Sequence, residues 1–188
     1  MCIRDSITTN SSALTLEGGS IKTGSTNDLA NLATNTDALT LASNASFTAV
    51  GNFSNTGSLT INKGSTFTLT GTHTLTPVSY THLIQGAGNQ TYLIINGSVT
   101  LSGAGTIDLT STNGQYTNNI YGTGSAPILI SSNTIEGAGN LGSGNMGFTN
   151  NGTVDANIAG QTLAINVDST GFTNYNGTNF TLTGGRCV

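Results

Sequence analysis

Charge is what this chain of 188 residues has least of: Lys and Arg number four, Asp and Glu eight, and charged residues make up 6% of the whole. Without a basic patch the chain is not a nucleic-acid binder, because phosphate recognition rests on clustered Lys and Arg. It has no cationic amphipathic stretch to dock on an anionic membrane surface. No apolar run approaches the roughly 20 residues that span a bilayer as a helix, so direct membrane insertion is not expected. Tryptophan is absent, proline occurs twice and cysteine twice. Two cysteines at opposite ends, Cys2 and Cys187, would invite one disulfide between the termini.

Those cysteines sit in blocks that do not match the rest of the chain. "MCIRDS" (1–6), "VSYTHL" (78–83) and "RCV" (186–188) hold both cysteines, both arginines and one of the two histidines, His82. One short DNA word accounts for all three. Read forward as ATG TGT ATA AGA GAC AG it encodes the first block. Its reverse complement, in another frame, gives V-S-Y-T-H, and the forward strand, with AG restored at its 5′ end and read in the remaining frame, gives Arg-Cys-Val-stop. The word resembles the transposase end sequence used to build sequencing libraries. Segments 1–6, 78–83 and 186–188 are therefore read as adapter-derived, and 7–77 and 84–185 as the native repeats. The cysteine pairing is then not proposed. The native charges reduce to Lys22 and Lys63 against Glu17, Asp28, Asp37, Asp108, Glu136, Asp155 and Asp168, a net of −5. With the true N-terminus replaced, no export signal is expected in this fragment. Tyr80 and His82 predict a bulging loop or a break at the middle block.

What the native segments do contain is glycine, 26 in the full chain, and alternating apolar residues separated by Thr or Ser. The pairs are Leu14/Leu16, Leu39/Leu41, Leu59/Ile61, Phe67/Leu69, Val99/Leu101, Ile107/Leu109, Ile128/Ile130, Leu163/Ile165/Val167 and Phe180/Leu182. Period-2 alternation predicts strands with one buried face. Thr suits the other face because its branched Cβ packs on a pleated surface. Helical spacing is nowhere sustained, so the chain is predicted to be all-β.

Recurrence at longer range selects among all-β forms. "ALTL" begins at Ala13 and Ala38, 25 residues apart; "GFTN" begins at Gly147 and Gly171, 24 apart; "GAGN" begins at Gly86 and Gly137, 51 apart. A period of about 24 predicts one coil of a right-handed parallel β-helix, a solenoid in which each coil stacks on the last. Asn55, Asn150 and Asn174, each shortly before a glycine, are expected at left-handed corners and in amide ladders between coils. Phe53, Phe148 and Phe172 are expected to point inward. The alternative is an antiparallel β-sandwich, with Asn96-Gly97, Asn151-Gly152 and Asn176-Gly177 as hairpin turns.

"GNFSNTGSLTINKGSTFTLTG" and "NNIYGTGSAPILISSNTIEGAGNLGSGNMGFTNNGTVDANIAGQTLAI" resemble the repeats of large secreted bacterial proteins of the filamentous-haemagglutinin and autotransporter-passenger type. The resemblance implies export across the outer membrane, through a secretion partner or a C-terminal barrel of the parent protein. It further implies extracellular or cell-surface display as an adhesin-like stalk.

Catalytic motifs are sparse. Glycoside hydrolysis needs two carboxylates across one bond, and Asp108, Glu136, Asp155 and Asp168 are expected as isolated acids on a solvated face. His73 is expected as a lone surface histidine, with no Ser or acid motif beside it. No Cys/His cluster or dense Asp loop suggests a metal. "GAGN" and "GSGN" lack the helix and basic residue of a phosphate loop. Tyr92, Tyr116, Tyr121 and Tyr175 are expected as inward packing or corner filling rather than as sugar-stacking rings. No catalytic, cofactor-binding or metal-ligating residue is assigned and no cofactor is expected. The sequence predicts a non-catalytic adhesin-like or structural module whose neutral, hydroxyl-rich surface meets glycans or neighbouring cell-surface molecules. The alternative is a carbohydrate-active β-helix enzyme or glycan-binding module.

Overall fold

The computed structural model describes residues 7–19, 22–23, 26–49, 51–62, 64–75, 84–85, 89–110, 118–175, 179–181 and 186–187. Blocks 1–6 and 78–83, Tyr116 and the pair Asn176-Gly177 lie outside the described residues, so the expectations placed on them fall outside too.

The chain is all-β, with parallel sheets. Twelve of the described strands form one large sheet, and two four-stranded sheets flank it. Every pairing among the described residues is parallel except Lys22–Thr23 with Thr26–Asn27. The chain visits the sheets in turn. Ala38–Ala42 lies in the first four-stranded sheet, Ser46–Ala49 and Ser54–Asn55 in the large sheet, Ser58–Asn62 back in the first, and Thr66–Leu75 again in the large one. Strands before and after residues 78–83 pair with one another, Thr66–Leu75 with Thr91–Ser102 and Ile61 with Ile84.

Register explains the sequence repeats. The two copies of "ALTL" lie side by side, with Leu14 opposite Leu39 and Leu16 opposite Leu41. The next strand continues the columns with Leu59 and Ile61. The two copies of "GFTN" also pair, with Phe148 opposite Phe172 and Asn150 opposite Asn174. Like stands on like, so each inward apolar side chain covers its equivalent one strand away. Leu39, Leu41, Leu101, Leu109, Ile120, Leu129, Ile135 and Leu141 are completely buried in one continuous core. The step between partners varies because bulges and loops change the length of each circuit. Register shifts fall between Leu69 and Gly71 and between Asn96 and Ser98.

Three sequence expectations are corrected. Asn96-Gly97 is no hairpin: it lies within strand Thr91–Ser102, where Gly97 takes a φ of 74° at the bulge. Asn151-Gly152 connects strands Gly147–Asn150 and Thr153–Asp155, which belong to different sheets and each pair in parallel with other strands. The phase of "PILIS" is opposite to the expected one. Leu129 and Ser131 point inward while Ile128 and Ile130 are half-buried on the outer face. Three consecutive aliphatics carry no phase of their own; the partner column decides, because Leu129 lies between Val99 and Phe148.

The third correction concerns asparagine. Asn55 and Asn150 are not left-handed corner residues but buried strand residues. Asn10 donates its side-chain amide to Asn35 Oδ1 at 2.6 Å, and Asn35 donates to Asn55 Oδ1 at 2.5 Å. Asn150 likewise donates to Asn174 Oδ1 at 2.8 Å, so the expected amide ladder exists. Each ladder amide also caps the turn that follows: Asn35 donates to the Asp37 carbonyl at 2.8 Å, and Asn55 to Gly57 at 2.9 Å. After Asn55 and Asn150, glycine is required two residues later for space rather than for φ. A Cβ at Gly57 would stand 2.0 Å from the Asp37 carbonyl oxygen, and one at Gly152 2.2 Å from that of Asn133. The left-handed corners are elsewhere, at Ser43-Asn44 and Ser143-Gly144 among others.

Phenylalanine fills the space between the sheets. Phe47, Phe53 and Phe67 form a cluster with ring centroids 5.4–6.5 Å apart. Phe53 and Phe148 are fully buried as expected, but Phe172 is 39% exposed. It stacks on Phe148 at 5.4 Å and shields one ring face, while its strand Phe172–Asn174 lies wholly exposed at the margin of the described sheet.

Candidate functional site

Three groups of chemistry-bearing side chains emerge from this register. The first is a carboxylate row. Strands Thr106–Leu109, Thr134–Gly137 and Thr153–Asp155 pair in parallel, with Asp108 opposite Glu136 and Glu136 opposite Asp155. All three alternate with buried aliphatics and so project from the outer face. Asp168 is not with them. Its carboxylate caps a turn, accepting the Thr170 N–H at 2.7 Å.

The spacings of 28 and 19 residues between these acids, which suggested isolation, are the sequence offsets between register partners on paired strands. Neighbouring strands lie about 4.8 Å apart, close to the roughly 5–5.5 Å that separates the carboxyls of retaining glycosidases. The electrostatics are those of crowded like charges. Burial raises the Asp108 carboxyl above its ordinary value, with the nearby Thr110 side chain opposing it. Burial also raises Glu136, and Asp108 and Asp155 on either side raise it further. Among the described residues, no group of three or more His, Cys, Asp or Glu is arranged to hold a metal ion.

A stability consequence follows. For carboxyls with raised folded-state values, the native state holds more protons than the unfolded chain across the window between the ordinary and the raised value. The stability contribution is therefore lost as pH rises through that window, and regained on acidification. Glu136→Gln is expected to stabilise the protein at pH 7 by about 0.2–1 kcal/mol, the size of a cross-strand like-charge effect. Its advantage over the parent should shrink on acidification toward pH 4.5, where the parent's own Glu136 carboxyl is protonated. Urea titrations at both pH values measure this, and a variant less stable at pH 7 would contradict it.

The second group is His73, which the sequence placed on the surface. It is fully buried in strand Thr66–Leu75, in register with inward Leu101. Its Nδ1 accepts the Phe53 N–H at 3.2 Å, so the ring carries its proton on Nε2. Burial lowers its pKa, with the Thr70 backbone opposing. Here the unfolded chain takes up the proton first. Stability is therefore complete above the ordinary histidine value and falls as pH drops below about 6.5. His73→Leu should cost about 1–3 kcal/mol at pH 7 by orphaning the Phe53 amide, yet abolish the decline between pH 7 and 5.5. Persistence of that decline in the variant would assign it to another group.

The third group is a tyrosine pair. Tyr92 and Tyr121 are not inward: both alternate with buried residues and stand half-buried on the outer face of the large sheet. Their rings meet edge to face at 5.5 Å. Tyr92 also donates its hydroxyl hydrogen to Gln90 Oε1. Tyr175 is 57% exposed. Sequence reading passed over Asn119, which is opposite Tyr92 on the next strand and 7% exposed. It shares a face with Tyr121 at i+2, the one signal that could have singled it out.

Comparison with protein-family models, with curated proteins and with solved structures gave no match to this chain.

Proposed function

We propose that the chain is a non-catalytic, adhesin-like structural module. In this reading the parallel sheets wind as a right-handed β-helix, displayed outside the cell by an outer-membrane secretion partner or a barrel elsewhere in the parent protein. The observation that supports it is the in-register outer surface. Thr15, Thr40 and Thr60 form one outward column, and Thr106, Thr134 and Thr153 another. A surface that repeats one hydroxyl per strand offers many equivalent weak hydrogen bonds along its length rather than one converging set of reactive groups. It suits adhesion to glycans or to neighbouring cell-surface molecules.

The carboxylate row favours a second reading, a carbohydrate-active enzyme with Asp108 and Glu136 as its acids. Incubating the full chain with a panel of plant and microbial polysaccharides separates the two. Adhesion predicts reversible binding with no new reducing ends. Release of reducing ends that is lost in Asp108→Asn and Glu136→Gln would establish the enzyme instead.

A further inference from the structure

We infer that the outer face around Tyr92, Asn119 and Tyr121 is a binding site for neutral carbohydrate; this deepens the adhesion reading and rests on it. Two outward rows cross the large sheet here. One runs Ser46, Thr66, Tyr92, Asn119, Asn140, and the other Thr48, Thr68, Ile94, Tyr121. The aromatic pair thus sits on a platform bordered by hydroxyls on one side and amides on the other. No residue in either row carries a charge, which sets this face apart from the carboxylate row on the neighbouring sheet. Such a surface matches the chemistry of an uncharged sugar. The C–H faces of a pyranose pack on tyrosine rings, and its hydroxyls pair with amides and hydroxyls.

Asn119 supplies the second observation. Its Oδ1 accepts from Asn140 Nδ2 at 3.1 Å, but its own amide nitrogen, although buried, has no acceptor. A buried donor without a partner is costly, and a ligand that provides one recovers that cost. The amide nitrogen is shielded from solvent, so a sugar hydroxyl reaches its hydrogen only as the side chains around it yield. Tyr92 and Tyr121 belong to adjacent strands, and a linear chain of sugars laid across the strands meets both rings in succession.

The chain has no tryptophan and five tyrosines, two of which, Tyr92 and Tyr121, lie on this face, so ligand-induced changes in tyrosine emission are read against the Tyr175→Ala variant. The full chain is titrated with dextran, galactomannan and laminarin as neutral probes, and with polygalacturonate and heparin as charged ones. The expected result is saturable quenching by at least one neutral polysaccharide. Tyr121→Ala should weaken it about tenfold, the equivalent of one aromatic contact, while Tyr175→Ala leaves it unchanged. Should Tyr121→Ala melt early, Thr68→Arg tests the same face from strand Thr66–Leu75, which pairs with the strand of Tyr92, without touching the core, and should weaken binding similarly. Failure of every neutral probe, preference for the charged probes, or equal affinity in Tyr121→Ala and Thr68→Arg would each overturn the assignment. Reducing ends released while binding still depends on Tyr121 would instead sustain the site and sink the non-catalytic reading.

Discussion

Replacing Asn35 by alanine is expected to destabilise the protein by about 2–4 kcal/mol, far more than a surface asparagine would. Asn35 is completely buried and occupies the middle of the ladder. It accepts from Asn10, and donates to Asn55 Oδ1, to the Asp37 carbonyl and to the Ser58 carbonyl at 3.0 Å. Removing its side chain leaves Asn10 without its amide acceptor and withdraws a donor from two turn carbonyls, inside a region water does not reach. Asn35→Asp should be worse still, since it retains the acceptor, loses both donors and buries a charge. Asn62→Ala, on the outer face of Ser58–Asn62, is the control and should stay within about 0.5 kcal/mol. Chemical denaturation of the three variants decides the matter: equal, small losses at Asn35 and Asn62 would mean that the ladder contributes nothing.

Phe67→Ala is expected to cost about 3–5 kcal/mol, a large part of the 5–15 kcal/mol by which ordinary domains are stable. Phe67 is 1% exposed and touches both Phe47, at 5.4 Å, and Phe53, at 5.6 Å. It lies in register between Phe47 and Leu93, so its removal opens a cavity bounded by strands on both sides. Those strands are held by their own ladder hydrogen bonds and cannot collapse far to fill it. Phe67→Leu keeps most of the volume and should cost less than about 1.5 kcal/mol. If the alanine and leucine variants unfold together at nearly the parent's denaturant midpoint, the cluster is not the core it resembles.

Much of this arrangement was legible in the sequence, and particular residues show where legibility stopped. Alternation in "ALTL" and "SLTI" announced strands, and the offset of 25 between the two "ALTL" copies is the register of Leu14 on Leu39. Alternation failed in "PILIS", where three aliphatics run together and only the neighbouring Phe148 column sets the phase. Asn10 and Asn35 were missed, although each stands four residues before the first leucine of the strand that follows it, as Asn55 does. Their burial could not be read because isolated asparagines look like turn residues; only a partner asparagine in the next strand makes the interior tolerable.

The candidate sites were less legible than the fold, for one physical reason. A fixed period of about 24 was expected, whereas Asp108 to Glu136 spans 28 residues and Glu136 to Asp155 spans 19. Bulges and loops absorb the difference without disturbing the register of the inward residues. The acids and the tyrosines were therefore brought together by circuit lengths that no constant repeat foretells. His73 misled for a different reason: its partner is a backbone amide, Phe53, which leaves no trace in side-chain patterns.

The central claim is parallel stacking of like residues, and backbone proton contacts in isotope-labelled protein test it most directly. The account expects short cross-strand contacts between Leu14 and Leu39, between Leu16 and Leu41, and onward from Leu39 to Leu59 and from Leu41 to Ile61. Contacts in reversed order, Leu14 with Leu41 and Leu16 with Leu39, would show that these strands run antiparallel, and would contradict it.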